Sequence, residues 1–265
     1  MTAVTLTHIQ HDPEGTEQAP PLVIAHGLYG SARNFNSLGK KLAAGRRVIM
    51  VDMRNHGSSP WAEAMTYSAM AADLADAVER LASEPALVLG HSMGGKAAMA
   101  LALSRPDLVA ALVVADIAPV SYDHSHEGYI DAMLSVDLSR VARRSDAEPM
   151  LAGSVPEPML RSFLLQNLLI EDGRARWRLN LDVLKTDLPN LMDWPATWPH
   201  QSFDGPTLFL HGGASDYVTK EMHPAIRKLF PKVEFETLAG TGHWLHAEKP
   251  TAFVAALSGW IGARP

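Results

Sequence analysis

The 265-residue chain is 47% hydrophobic and 20% charged, carries a net charge of −6 and contains no cysteine. The acidic balance argues against nucleic acid as a partner, and the absence of cysteine excludes disulfides, thiolate metal sites and cysteine nucleophiles. Because no apolar run reaches the roughly 20 residues of a membrane helix and residues 1–10 lack a secretory-signal pattern, we expect a cytoplasmic protein with no membrane segment.

Short apolar runs that end in turn residues are typical of strands covered on both faces of a parallel sheet. They lie at residues 21–25, 47–51, 86–89, 112–115 and 207–210. Residues 4–9 and 233–238 alternate more between apolar and polar side chains, which indicates edge strands. Helical patterns follow several of these runs, at residues 66–81, 93–103 and 250–261. The sequence therefore predicts a doubly wound α/β sheet, with ligands at the C-terminal ends of its strands.

The alternation of strand and helix stops in the middle of the chain. Helical patterns at residues 129–141 and 159–169 follow one another without a buried strand between them. We interpret residues 120–201 as a helical cap inserted into a core made of residues 1–119 and 202–265. The alternative is that these helices are simply additional helices packed on the sheet.

Residues 90–94 read GHSMG and match the pattern G-x-S-x-G. The pattern is weak alone, but here a predicted strand precedes it and an Ala-rich helix follows, which is the setting of a nucleophilic serine. A sharp turn there pushes the hydroxyl of Ser92 out of the sheet and leaves no room for side chains at the flanking glycines. We therefore predict that Ser92 is a nucleophile.

A serine hydroxyl needs a base to remove its proton, and this motif is followed along the chain by an acid and then a histidine. Among the 12 histidines, His243 lies in a glycine-rich loop just after the last predicted strand, where the base belongs. We interpret His246, three residues later, as structural. No H-E-x-x-H or similar spacing occurs, so we expect no catalytic metal.

Two aspartates are candidates for the acid that orients His243. Asp216 follows the predicted strand at residues 207–210, the commonest location for this acid, and Asp116 directly follows the strand before it. Either carboxylate could fix the histidine tautomer and stabilise the imidazolium. The residues alone leave the choice open.

Two more polar turns follow predicted strands. Residues 26–30 read HGLYG, and the main-chain N–H groups of Leu28 and Met93 are the expected oxyanion-hole donors. Residues 52–60 read DMRNHGSSP. For this second turn we expect a hydrogen-bonded network that braces the neighbouring loops rather than a catalytic role.

Motifs spread over most of the chain read HGLYGS, DMRNHGSSP, GHSMGGK, DIAPVSY and GHWLHAEKP, with WRLNLD at residues 177–182. Together they resemble the YbfF-type acyl esterases of bacteria and their eukaryotic relatives in the α/β-hydrolase superfamily. The resemblance implies an α/β-hydrolase fold with a helical cap, and a serine esterase or thioesterase without a cofactor. It also favours Asp116 as the acid, because the group shares the aspartate of DIAPV and often lacks one at position 216. This chain has both aspartates, so Asp216 stays open.

The expected reaction is hydrolysis of a small-molecule acyl ester or thioester through an acyl-serine intermediate. Carbon–carbon bond hydrolysis and cofactor-free haloperoxidase activity are alternatives, since one fold supports many chemistries. A non-catalytic binding module is the least favoured interpretation, because such a protein would normally have lost Ser92 or His243.

Overall fold

The computed structural model describes residues 3–17, 19–123, 126–195 and 201–262. The strands in this part of the chain are β1 (His8–His11), β2 (Leu22–Ala25), β3 (Val48–Val51), β4 (Ala86–His91), β5 (Val109–Ala115), β6 (Leu168–Glu171), β7 (Arg174–Trp177), β8 (Thr207–Gly212) and β9 (Val233–Leu238).

The α-helices of the same residues are α1 (Asn36–Leu42), α2 (Tyr67–Leu81), α3 (Met93–Ser104), α4 (Glu127–Leu134), α5 (Arg144–Leu151), α6 (Pro158–Leu165), α7 (Leu181–Met192), α8 (His223–Leu229), α9 (Leu245–Glu248) and α10 (Pro250–Gly262). Short 3₁₀ turns lie at Ala32–Phe35, Pro106–Leu108, Leu138–Arg140 and Lys220–Met222. Within the described ranges, no helix is both long enough and apolar enough to cross a membrane.

One sheet contains seven of these strands, in the order β1-β3-β2-β4-β5-β8-β9. β1 pairs with β3 in antiparallel orientation, and every other pair in this sheet is parallel. The five predicted buried strands occupy its centre, and the two predicted edge strands occupy its ends. The first edge strand lies at His8–His11 instead of residues 4–9, because its pairing with β3 begins only at His8.

Alternate residues of each central strand point to opposite faces of the sheet, and each face has its own apolar core. Val23 and Val88 pack with helices α2 and α3 on one face, whereas Ile24 and Leu89 pack with α1 and α10 on the other. Burial on both faces explains why these strands are continuously apolar in the sequence. The predicted doubly wound α/β architecture is confirmed.

The chain between β5 and β8, which we call the β5–β8 connection, contains α4 to α7 and a separate hairpin formed by β6 and β7. The helix predicted at residues 129–141 ends at Leu134, and the helix predicted at 159–169 ends at Leu165. Asn167 accounts for the second end, because its buried side-chain amide donates to the carbonyl oxygens of Leu164 and Tyr29. This bond ties the connection to the loop after β2.

Candidate active site

Ser92 lies in a strained turn between β4 and α3. Its backbone has φ 52° and ψ −123°, a region that costs a non-glycine residue free energy and persists only where the surroundings impose it. A Cβ atom at Gly90 would overlap the main chain of Gly94, and one at Gly94 would overlap the main chain of Ala25. Both glycines are therefore required by the close packing around this turn, as their positions in the motif predict.

The imidazole of His243 lies between Ser92 and Asp116. Its Nε2 atom is 3.0 Å from Oγ of Ser92, and its Nδ1 atom donates to Oδ2 of Asp116 at 2.8 Å. The Asp116 side chain is fully buried and that of His243 is 17% exposed. With Nδ1 protonated toward the carboxylate, Nε2 is left as an acceptor for the serine hydroxyl proton.

Asp116 receives two more hydrogen bonds from the loop at the end of β8. The main-chain N–H of Gly212 donates to Oδ1 at 2.9 Å, and the hydroxyl of Ser215 donates to Oδ2. A buried carboxylate is costly unless it is hydrogen-bonded, and these donors meet that requirement. Ser215 was not predicted from the sequence, where its one signal is its position directly before the candidate acid Asp216.

Asp216 lies on the surface of the same loop and its side chain is exposed. Both ring nitrogens of His243 have their partners in Ser92 and Asp116. The next residue, Tyr217, stacks on the imidazole with ring centroids 3.9 Å apart. The structure therefore brings Ser92, His243 and Asp116 together and leaves Asp216 outside this group.

Leu28 and Met93, the predicted oxyanion-hole residues, line the same cavity as Ser92. The loop that contains Leu28 is held from two sides through Tyr29. The main-chain N–H of Tyr29 donates to Nε2 of His56 at 3.2 Å, and its carbonyl accepts from Asn167 at 2.8 Å. These bonds fix the main chain of this loop beside the serine.

Two buried histidines brace the loops that follow β2 and β3. His26 accepts from the N–H of Met53 at 2.9 Å, and His56 accepts from that of Tyr29. Burial lowers the pKa of His26 to about 4 and that of His56 to about 3, so both rings are neutral near pH 7. In the same turn Asp52 accepts from the N–H groups of Ala32 and Ser58. The bracing network predicted for residues 52–60 is confirmed.

A cavity of about 220 Å³ opens above Ser92 and His243. Apolar side chains from the core loops and from the β5–β8 connection line it: Leu28, Ile117, Leu160, Phe163, Leu191 and Met192. His246 also borders it, buried and stacked on Phe35 with ring centroids 4.5 Å apart. In the part of the chain that the structure describes, no group of three or more His, Asp or Glu side chains could hold a metal ion.

A parallel sheet with a serine on its strand-to-helix turn and a histidine on the last loop defines the α/β-hydrolase class. A family model described as alpha/beta hydrolase fold matches residues 20–250. The chain belongs to this family.

Similar proteins narrow the activity. The chain is 44% identical over 256 residues to the sn-1-specific diacylglycerol lipase ABHD11 of Mus musculus, covering 94% of this chain and 83% of that protein. It is 38% identical over 242 residues to esterase YbfF of Escherichia coli, covering 91% and 92%. A solved marine microorganism esterase superposes with a TM-score of 0.92 at 37% identity, covering 97% of this chain and all of that one. The protein is a serine ester hydrolase, and its resemblance to the YbfF-type group is confirmed.

Proposed function

We propose that Ser92, His243 and Asp116 form the catalytic triad of this carboxylic ester hydrolase and that the reaction passes through an acyl-serine intermediate. The observation that carries the proposal is the position of the His243 imidazole, in hydrogen-bond contact with the serine hydroxyl on one side and a buried carboxylate on the other. Asp116 holds the imidazole in the tautomer that accepts a proton and stabilises the imidazolium that forms.

In the first half of the reaction, Nε2 of His243 removes the proton of Ser92 while Oγ attacks the carbonyl carbon of the ester. The carbonyl oxygen becomes an oxyanion, which the main-chain N–H groups of Leu28 and Met93 stabilise. The tetrahedral intermediate then collapses and the bond to the leaving oxygen breaks. His243 returns its proton to that oxygen, so the alcohol leaves and the acyl group stays on Ser92.

In the second half, a water molecule takes the place of the alcohol. His243 removes one of its protons, the resulting hydroxyl attacks the acyl carbon, and the oxyanion forms again in the same position. Collapse breaks the bond to Oγ of Ser92, which recovers its proton from His243. The carboxylic acid leaves and the enzyme returns to its starting state.

The apolar lining of the cavity indicates an ester with a hydrocarbon acyl or alkyl chain. An acyl thioester enters the same two steps with sulfur as the leaving atom, and we include thioesters in the proposed substrate class. We further propose that residues 120–201 form a cap over a core of residues 1–119 and 202–265, because the β5–β8 connection supplies one side of the cavity.

The test is hydrolysis of p-nitrophenyl esters from acetate to palmitate, with acyl thioesters of the same chain lengths as a second series. We expect Ser92→Ala to lower kcat by about 10⁴- to 10⁶-fold. Ser104→Ala is the matched control, because this serine lies at the other end of α3 and its hydroxyl donates to carbonyl oxygens of the same helix. Equal turnover by Ser92→Ala and the wild type would overturn the proposed mechanism.

A further inference from the structure

Lys96 is a buried lysine beside the candidate site, and the proposed reaction steps do not use it. Lys96 lies in α3, four residues after Ser92, and its side chain is fully buried. Burial lowers the pKa of this lysine to about 7, against a smaller opposing effect of the Asp193 carboxylate. A buried amine is costly unless its N–H groups are satisfied, so its partners indicate its role.

The amine of Lys96 binds the end of the last helix of the β5–β8 connection. Nζ donates to the main-chain oxygens of Met192 at 3.1 Å and Asp193 at 2.8 Å. These carbonyls lie at the C-terminus of α7, where they lack helical N–H partners and carry partial negative charge. An uncharged amine still has two N–H groups for the two carbonyls, so deprotonation does not break this contact.

Two tyrosine rings cover the same amine. Nζ is 4.8 Å from the ring centroid of Tyr122 and 5.6 Å from that of Tyr67, within the range of cation–π attraction. The hydroxyl of Tyr67 in turn donates to the carbonyl of Leu191 at 2.6 Å.

The start and the end of the β5–β8 connection are bonded to each other at this point. The N–H of Tyr122 donates to the oxygen of Met192 at 3.0 Å, and the hydroxyl of Ser121 donates to the carboxylate of Asp193. Lys96 therefore joins the helix that follows the nucleophile to both places where the connection crosses to and from the core.

The groups that make this junction also form a wall of the catalytic cavity. Lys96, Tyr122, Leu191 and Met192 all line it, together with Ser92. A shift of either crossing would therefore change the space available to a substrate.

We propose that Lys96 is a positioning residue that fixes both crossings of the β5–β8 connection to the nucleophile helix and so limits the length of the substrate chain that the cavity accepts. The inference rests on the proposed function, because it takes this cavity as the substrate site. It adds a determinant of chain-length specificity that acts through Tyr122 and Met192.

The test compares the wild type with Lys96→Met, which keeps an unbranched side chain of similar length but removes the donors and the charge. Two ester series are measured: p-nitrophenyl esters from acetate to dodecanoate, and acetates of alcohols from ethanol to dodecanol. In the series whose variable chain lies against this wall, we expect the ratio of kcat/KM for long chains to kcat/KM for short chains to rise by roughly tenfold. A change of this size corresponds to the loss of one to two hydrogen bonds. The effect should lie mainly in KM for the long chains.

Two further variants control for general loosening of the fold. Lys185→Met makes the same substitution in α7, where the lysine pairs with Asp131 on the surface, and it should keep the wild-type profile. Ser121→Ala removes the exposed bond to Asp193 and should shift the profile in the same direction as Lys96→Met, by less. Hydrogen exchange at the amide of Tyr122 should speed up in Lys96→Met and in Ser121→Ala but not in Lys185→Met.

Labelling of Ser92 by a fluorophosphonate separates the two levels of the argument. The role of Lys96 would be overturned if every variant is labelled but Lys96→Met keeps the wild-type chain-length profile and the wild-type exchange rate at Tyr122. The proposed function would then still stand. Failure of the wild type to be labelled would overturn both. If Lys96→Met does not fold, Ser121→Ala decides by the same criteria.

Discussion

Asp116 and His243 are 127 positions apart in the sequence, and the carboxylate of one accepts a 2.8 Å hydrogen bond from Nδ1 of the other. The contact forms because β5 and β8 are neighbouring parallel strands, so that the turn after β5 and the loops after β8 and β9 meet at one edge of the sheet. The fold thus forms an acid–histidine pair from the residue that follows β5 and a residue in the loop after β9.

The two candidate acids can be separated by matched substitutions. Asp116→Asn should lower kcat by about 10³- to 10⁴-fold, because an amide stabilises neither the required histidine tautomer nor the imidazolium. Asp216→Asn should leave kcat near the wild-type value, since this side chain is exposed. Steady-state kinetics with one p-nitrophenyl ester decide between them, and the reverse order of effects would make Asp216 the acid.

Ser215 should contribute to turnover through Asp116. Ser215→Ala removes one of the hydrogen bonds to the buried carboxylate, and we expect kcat to fall by roughly tenfold, as the loss of one hydrogen bond to a charged group predicts. Ser215→Thr keeps a hydroxyl and should recover most of the rate. If alanine and threonine give the same rate, the hydroxyl has no part in orienting the acid.

Stability should decrease as the pH falls below about 6.5, the ordinary pKa of histidine. Burial lowers the pKa of His246 to about 3, so between these values the unfolded chain binds a proton that the folded chain rejects. Each such group lowers the free energy of unfolding by up to about 1.4 kcal/mol per pH unit in that window. His26 and His56 act in the same direction.

His246→Phe tests this directly. Nδ1 of His246 is buried without a hydrogen-bond partner among the described residues, and phenylalanine keeps a ring against Phe35. Urea unfolding at pH 7, 6 and 5 should give a shallower loss of stability in the variant than in the wild type. An identical slope for the two proteins would show that folding does not lower the pKa of His246, which would contradict this account.

The buried ion pair of Arg54 and Asp73 should be important for stability. Two guanidinium nitrogens donate to the carboxylate at 2.6 and 2.7 Å, and both side chains are almost completely buried. Arg54→Leu leaves the carboxylate buried without its partner, which should cost about 3–5 kcal/mol in urea unfolding. Arg105→Leu, which removes an exposed arginine from two exposed carboxylates, should change stability little. Equal effects would contradict this account.

The sheet and the positions of Ser92 and His243 follow from local patterns. Doubly covered strands are continuously apolar, and the glycines around Ser92 are required by a turn whose tight packing excludes Cβ atoms. The choice between Asp116 and Asp216 does not follow from such patterns. Each aspartate lies shortly after the end of a central strand. They differ in the direction in which the local main chain points the carboxylate.

The β5–β8 connection was less predictable for a different reason. Strands β6 and β7 are short and partly exposed, so their sequence carries no long apolar run, and Leu168 continues the helical pattern of α6. The role inferred for Lys96 was invisible as well, because a lysine in an apolar helix has no sequence signal for the carbonyls it meets. Such features depend on contacts between distant parts of the chain.

The most direct test of the proposed triad is the identity of the residue that becomes covalently modified. The protein is treated with a fluorophosphonate, and intact-mass and peptide mass spectrometry locate the adduct. We predict one phosphonyl group per chain, on the peptide that contains Ser92, and none on Ser92→Ala. An adduct on another residue, or equal labelling of Ser92→Ala, would contradict the assignment of Ser92 as the nucleophile.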